Sequence, residues 1–280
     1  MNLVLELREQ FSLKILCKVS NLAKSVFYYW LNKLTSEDNN KELKEEIKKI
    51  CSDANYVYGY RRVTLVLNQR GYCVNHKKVL KLMKHLNLTC TKFTKKRRKY
   101  NSYKGKVGRI AKNLIRQRFY ADRPFQKYVT DITQFSINNE IKLYLSPVMD
   151  LYSSEIISYK MSEHPTLDIV ISPLEEAIKQ RPSLRYRATF HSDQGWHYQH
   201  KQYTSILNEH KIFQSMSRKG NCLDNSPMEN FFGLLKQEMY YGEKFKNVEE
   251  LKQNIQKYIY FYNNERIKSK LKGLSPTKYR

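Results

Sequence analysis

The sequence predicts an α/β chain, a mixed five-stranded sheet flanked by helices, preceded by a basic all-α region with a helix-turn-helix shape. Three observations predict it. Runs rich in Val, Ile, Thr, Tyr and Phe begin only at Lys127 and then alternate with helical stretches. Before that point two short helices are separated by a glycine turn at Gly71. The charge is also uneven, since residues 1–120 hold 28 Lys/Arg against 8 Asp/Glu, and residues 121–280 hold 23 against 18.

In the front part, residues 3–34 read as largely helical, with Leu13, Leu16, Val19, Leu22, Val26, Tyr29 and Trp30 near helical spacing. Tyr28, Tyr29 and Trp30 are expected in the core. Residues 41–51 form a charged amphipathic helix. A helix over Arg61–Gln69 ends at Gly71, a residue suited to a left-handed cap. The next runs Lys77–Leu86 behind Asn75, a good N-cap, with Val79, Leu80, Leu82 and Met83 for packing. The basic peak Lys92–Tyr100 follows as a linker. The division is therefore residues 1–52 as a helical region, 53–91 as a helix-turn-helix-like segment, 92–121 as a basic linker and 122–280 as the sheet domain.

The sheet domain reads in order. Lys127–Ile137, Ile141–Asp150 and Glu155–Met161 are strands, Leu167–Lys179 is a helix, and Arg187–His191 is a strand. Tyr203–His210 is a helix, Ile212–Met216 the fifth strand, and a last helix runs from Pro227 to about Tyr240. Pro227 suits its first turn.

A net charge of +25 over 280 residues excludes an ordinary small-molecule enzyme as the default and points to a polyanionic partner, most often nucleic acid. The linker cations can neutralise phosphates. No run of about 18 apolar residues occurs, so no membrane span is expected. Charges at Glu6, Arg8, Glu9, Lys14 and Lys18 interrupt any signal-peptide core, and a cytoplasmic setting is expected. Five irregularly spaced cysteines with no C-x-x-C argue against a disulfide framework, and His76, His85 and Cys90 fall one short of a zinc site.

Three acids stand out by position. Asp131 lies inside the first strand, Asp193 where the fourth strand ends, and Glu229 in the first turn of the last helix. A carboxylate among β-branched residues costs desolvation unless paired or bound to metal. Each acid alone reads better as a cap or ion-pair partner. The three together read as oxygen ligands for hard divalent cations, two of which suit displacement at phosphorus. Asp224 reads as a loop or cap residue, and Asn221 and Asn225 either hold that loop or touch DNA. Ser192 has no G-x-S-x-G around it and is not a nucleophile. His191 reads as support for the strand end and His197 as lining the site's mouth; Tyr100 and Tyr103 can stack on bases.

Tyr128-Val129-Thr130-Asp131-Ile132-Thr133 resembles the first motif of DDE transposases related to retroviral integrases. His191-Ser192-Asp193-Gln194-Gly195-Trp196 resembles the second, and Gly220 to Phe232 the third. Thirty-five residues separate Asp193 from Glu229, the spacing that names the D,D-35-E class. Lys236 stands seven residues after Glu229, on the same helix face, where the class typically has a basic residue. Tyr58-Gly59-Tyr60-Arg61-Arg62, Tyr262 to Arg266 and Leu274-Ser275-Pro276 resemble further signatures of second-frame (OrfB) proteins of the IS-three family of bacterial insertion sequences.

The resemblance implies an RNase H-like catalytic core and metal-dependent DNA strand cleavage and strand transfer at element ends. It implies Asp131, Asp193 and Glu229 as catalytic acids and ligands of Mg2+ or Mn2+, two ions in number, and Lys236 as a DNA contact. The DNA-binding side chains are placed at Arg61, Arg62, Lys77, Lys78, Lys95, Lys96, Arg97, Arg98 and Lys99. Expected partners are duplex DNA (terminal repeats and target), further copies of the chain, and the first-frame protein or a fusion with it, because no leucine-zipper-like heptad run occurs here. A rival reading is a catalytically silent DNA-binding protein or repressor on the same fold.

Overall fold

The computed structural model describes residues 2–35, 40–90, 110–137 and 141–280. The front begins with three helices, α1 (Asn2–Glu6), α2 (Leu13–Val19) and α3 (Lys24–Thr35), rather than one continuous stretch. Their small core is Val4, Leu16, Cys17 and Phe27. Tyr28, Tyr29 and Trp30 are exposed, which corrects their expected place in the core, and Val19 is exposed as well. The turn at Ser20–Asn21, with Asn21 left-handed, rotates α3 so that Phe27 alone of this aromatic run faces inward.

A second helical body follows. α4 (Lys41–Asp53) buries Leu43, Ile47, Ile50 and Cys51, the stripe its spacing demands. α5 (Tyr60–Gln69) buries Val63, Thr64 and Leu67. It stops where Gly71 takes φ +90° and the Tyr72 N–H returns to the Leu67 carbonyl at 3.0 Å. α6 (His76–His85) starts at Asn75, whose side chain accepts from Lys77 N–H at 2.8 Å, and buries Val79, Leu82 and Met83.

The sheet has six strand segments: β1 (Lys127–Thr130), β2 (Thr133–Ile137), β3 (Ile141–Asp150), β4 (Ile156–Ser162), β5 (Thr189–Ser192) and β6 (Phe213–Met216). β3 is antiparallel to β1, β2 and β4, whereas β1, β5 and β6 run parallel. The expected first strand is thus broken in two. Its register against β3 is the same on both sides of the gap, Thr130 facing Val148 and Thr133 facing Leu145, so Asp131 falls opposite Pro147. Proline has no N–H to donate, and the ladder lapses there. Asp131 therefore sits in a two-residue interruption, not inside a strand.

Successive residues of β1 point to opposite faces. Val129 joins a core with α10 (Ser226–Leu235) and α11 (Val248–Asn264). Tyr128 joins a core with α7 (Asp168–Lys179), α8 (Trp196–Gln199) and α9 (Lys201–Glu209). The domain is a mixed sheet between helical layers. Residues 110–121, within the expected linker, pack on it: Ile115 and Ala121 are buried, and Leu114 N–H donates to Ser215 Oγ at 2.9 Å. α10 ends at Leu235 and continues as one wide π-type turn, Lys236–Tyr240, where a longer α-helix was expected. The chain closes with α12 (Pro276–Tyr279).

The segment after α11 ties the front body to the core. Tyr58 OH donates to the Glu265 carbonyl at 3.2 Å and accepts from Ile267 N–H at 3.0 Å. Gln69 Nε2 donates to the Gly273 carbonyl at 3.1 Å. Among the described residues, no helix is long and apolar enough to cross a membrane.

Candidate active site

β1 and β5 are parallel neighbours, so their carboxyl ends lie side by side. Asp131 follows the end of β1, and Asp193 follows the end of β5. Glu229 stands in the first turn of α10, with Lys236 just past that helix's end. Asn225 binds α10 to β1, its Nδ2 donating to the Thr130 carbonyl at 3.1 Å. That bond places the third acid against the first.

Asp193, Glu229 and Lys236 all lie close enough to Asp131 to act on its charge. The Asp131 carboxyl is held well above the usual range, first by desolvation, then by the Asp193 charge, with Glu229 adding and Lys236 opposing. Asp193 is exposed to solvent at the cleft mouth, yet the protein crowding its carboxyl still raises it, while Gly195 N–H and His197 pull the other way. Lys236 is lowered by burial, against the attraction of Asp131. Its Nζ stands 5.3 Å from the Phe135 ring centroid.

Each aspartate has one oxygen committed to the backbone. Asp131 Oδ1 accepts from Ile132 N–H at 2.8 Å, and Asp193 Oδ1 accepts from Gly195 N–H at 2.9 Å. The second oxygen of each has no hydrogen-bond partner among the described residues. A Cβ at Gly195 would lie 2.9 Å from Asp193 Oδ1, so a larger residue there would make that carboxylate shift.

The two aspartates fit a hard divalent cation, since each offers a carboxylate oxygen beyond its backbone bond and the Asp193 and Glu229 charges act against that of Asp131. It is not a closed cage. Among the described residues no three His, Cys, Asp or Glu side chains stand ready-made around an ion.

The neighbouring polar residues support the scaffold. His191 is fully buried, its Nδ1 2.8 Å from Ser215 Oγ and its Nε2 3.1 Å from Ser217 Oγ, and burial lowers its pKa. Ser192 Oγ donates to the Asp193 carbonyl at 2.9 Å. His197 is buried against the Pro165 carbonyl at 2.9 Å. Asp224 is a buried clasp, accepting from Arg218 N–H, Nε and Nη2 and from Gln117 Nε2 at 2.9–3.0 Å, so its carboxyl is held far below the usual range, chiefly by Arg218.

The remaining sequence-predicted residues are not brought to this cleft. Arg61 is exposed on α5, with Nε donating to Tyr60 OH at 3.2 Å. Arg62 is half-buried beside Tyr58. Lys77 and Lys78 are exposed on α6, with Lys81 and Lys84 beside them. Lys95, Lys96, Arg97, Arg98, Lys99, Tyr100 and Tyr103 lie outside the described residues. Sequence reasoning missed Tyr198, a buried hydroxyl 3.5 Å from Thr130 Oγ1 and close enough to Asp131 and Asp193 to feel both charges. Nothing in the order of residues signals that approach across 68 positions.

The chain matches the integrase core domain family over residues 121–222 and again over 229–280, and an HTH-like domain family over 37–98. Over 280 residues it is 45% identical to the protein named as transposase InsK for insertion sequence element IS150 of Escherichia coli K12, covering 100% of this chain and 97% of the relative. The chain belongs to the insertion-sequence transposases. It is also 32% identical over 277 residues to transposase InsF for insertion sequence IS3A of the same organism, covering 96% of this chain and 94% of that one. Among solved structures, the HTLV-2 integrase catalytic core domain in complex with magnesium is similar at TM-score 0.43 and 17% identity, covering 56% of this chain and 96% of that chain. The transposase is thus a polynucleotidyl transferase with a divalent-metal-dependent integrase core and an HTH-like front that points to DNA.

Proposed function

We propose that Asp131, Asp193 and Glu229 are the catalytic acids of this transposase and hold two Mg2+ or Mn2+ ions. One observation carries the reading: Asp131 and Asp193 enter one cleft from parallel strands, each with an oxygen to spare, and burial raises the proton affinity of both, with the Asp193 charge adding to that of Asp131. When bound, such cations supply Lewis-acid stabilisation of charge on the attacking and leaving oxygens. The chain's own residues do the rest. Gly195 and Ile132 N–H groups fix the two carboxylates, and Asn225 fixes the α10 end that carries Glu229. Lys236 contacts a phosphate near the scissile bond.

The chemistry is two displacements at phosphorus. A water oxygen bonds to phosphorus at the element end, and the 3′ oxygen leaves with a proton as a hydroxyl. That hydroxyl oxygen then bonds to a target phosphorus, and the target's own 3′ oxygen leaves. No covalent protein intermediate is needed.

In this proposal residues 53–91 engage terminal-repeat DNA, 92–121 join the two parts with Lys95, Lys96, Arg97, Arg98 and Lys99 on phosphates, and 122–280 cut and join. Arg61, Arg62, Lys77 and Lys78 contact duplex DNA. Two ends must be brought together, so the working complex holds several copies, with the first-frame protein or its fusion as a partner, in the bacterial cytoplasm.

The test is end-labelled duplex carrying the terminus, incubated with Mg2+, Mn2+ or EDTA. Wild type is expected to nick it only with metal, and Asp193→Asn not at all. Metal-independent nicking, or nicking that survives Asp193→Asn, overturns the reading. Binding without nicking, by the chain and by its first-frame fusion alike, favours the silent repressor.

A further inference from the structure

The front body and the core meet along a seam built around two tyrosines and several cations. Tyr58 spans it, bonded to Glu265 and Ile267. On the front side, the Arg62 guanidinium lies 5.6 Å from the Tyr58 ring centroid. On the core side, Lys268 donates to Tyr262 OH at 2.6 Å, with its Nζ 4.5 Å from that ring's centroid. Beside them Arg266 is buried and paired with Glu238, its Nε and Nη2 donating to the two carboxylate oxygens at 2.8 and 2.5 Å. Lys270 is exposed two residues further on.

Arg62 and Lys268 are half-buried, and among the described residues neither has a carboxylate within ion-pair distance. Glu238, the acid at the seam, is already saturated by Arg266 and by Tyr258 OH at 2.9 Å. The cations feel the shortage. Burial and then Arg266 lower Arg62, with Glu238 partly offsetting. Burial, then Arg266, Lys270 and Arg62, bring Lys268 down to about 7. Two half-buried cations, fixed by aromatic rings and repelling each other, are an arrangement that an anion completes.

We propose that this seam is a phosphate site, in which Arg62 from the front body and Lys268 from the C-terminal segment grip one phosphodiester of duplex DNA, with Lys270 at its rim. The inference rests on the reading of the chain as a DNA-acting enzyme. Duplex DNA is the occupant favoured over an acidic peptide because the same front body presents exposed Lys77, Lys78, Lys81 and Lys84 along α6. A phosphate gripped from both sides fixes the DNA held by the front body relative to the core. Recognition and cutting are thereby placed in one frame. The site is separate from the acid cleft, and its residues touch no reacting atom.

The experiment is a salt titration of binding to a labelled duplex by full-length chain. Wild type gives a linear fall of log affinity with log salt. Each lost phosphate contact flattens that slope by about one. Lys268→Gln is expected to weaken binding about 5- to 10-fold and to flatten the slope by about one unit, whereas Lys268→Arg keeps both. Lys179→Gln, an exposed position on α7, serves as a control expected to change neither. Melting temperatures check that the variants are folded. Should Lys268→Gln melt early, Lys270→Gln at the exposed rim is the second variant, and its slope must flatten too. Wild-type affinity and slope in a folded Lys268→Gln would overturn the phosphate site and leave the DNA reading standing. Wild type with no salt-dependent binding would overturn both.

Discussion

Glu238 sits in the wide turn after α10, Lys236 of the same turn opposes the charge of Asp131, and the protein treats these two acids in opposite ways. Glu238 is buried and receives two bonds from Arg266 and one from Tyr258. Asp131 receives one backbone N–H and faces two further acids, with Lys236 of that same turn as its opposing charge. A carboxylate that holds the fold together is saturated. A carboxylate in the cleft is left short, which is the shortage that the proposed cation would make good. The contrast teaches where to look for chemistry: not at the buried charge with the most bonds, but at the one with too few.

Removing one charge from each region is the strongest way to break this comparison. Asp131→Asn is expected to reduce metal-dependent nicking by at least about 10⁴-fold. Relief of like-charge repulsion should at the same time raise the metal-free Tm by about 2–4 °C, the effect of about 1 kcal/mol. Single-turnover rates and thermal melts read the two effects separately, and a lower metal-free Tm would erase the contrast.

Glu238→Gln should do the reverse to stability. It leaves Arg266 buried without its counter-charge, at a cost of about 3–5 kcal/mol in urea unfolding. The double change Glu238→Leu with Arg266→Met is expected to regain most of that. A Glu238→Gln chain as stable as wild type would remove one half of the comparison.

Asp150 sharpens it at the far end of the sheet. This carboxylate is fully buried, its Oδ2 has no partner, and burial pushes it up to about 6. Because the folded chain holds this proton more tightly than the unfolded chain, the stabilisation is complete below about pH 4 and is lost as pH rises through about 6. Asp150→Asn should therefore be more stable than wild type at pH 7.5, by up to about 3 kcal/mol, with the advantage vanishing toward pH 4. A pH-independent difference would count against it.

The smallest effect is expected at Lys236. Lys236→Gln should slow nicking about tenfold, the value of one desolvated charge–phosphate contact, and Lys236→Arg should restore most of the rate. Equal rates for Lys236→Gln and wild type would place that lysine outside the cutting step.

What could be read from the sequence, and what could not, follows the range of the forces involved. The α6 cap at Asn75 and the αL stop at Gly71 were legible because both are decided within a few residues. The alternation of sheet and helix after Lys127 was legible for the same reason. Asp131 stood out as a carboxylate among β-branched residues, and Asp193 and Glu229 as acids at the ends of local elements. The lapse at Asp131 was not legible, since its cause is Pro147 on another strand. The Glu238–Arg266 pair spans 28 positions, and the Tyr58 bond to Ile267 spans 209. Tyr28, Tyr29 and Trp30 were misplaced because helical spacing shows that a face exists, not where the next helix will cover it.

Gly195 stands where a Cβ would lie 2.9 Å from Asp193 Oδ1 and make that carboxylate shift. Its meaning extends to heredity. A gene copy with alanine at 195 needs one base change, and its product would fold, assemble and occupy element ends. On the proposed roles, its displaced carboxylate would not cut them. In a cell that also carries intact copies, such a product competes for the same termini and lowers the frequency of movement for all of them. Co-expression of Gly195→Ala with wild type, scored by transposition frequency, is expected to show that dominance, so that decay of one copy restrains the rest.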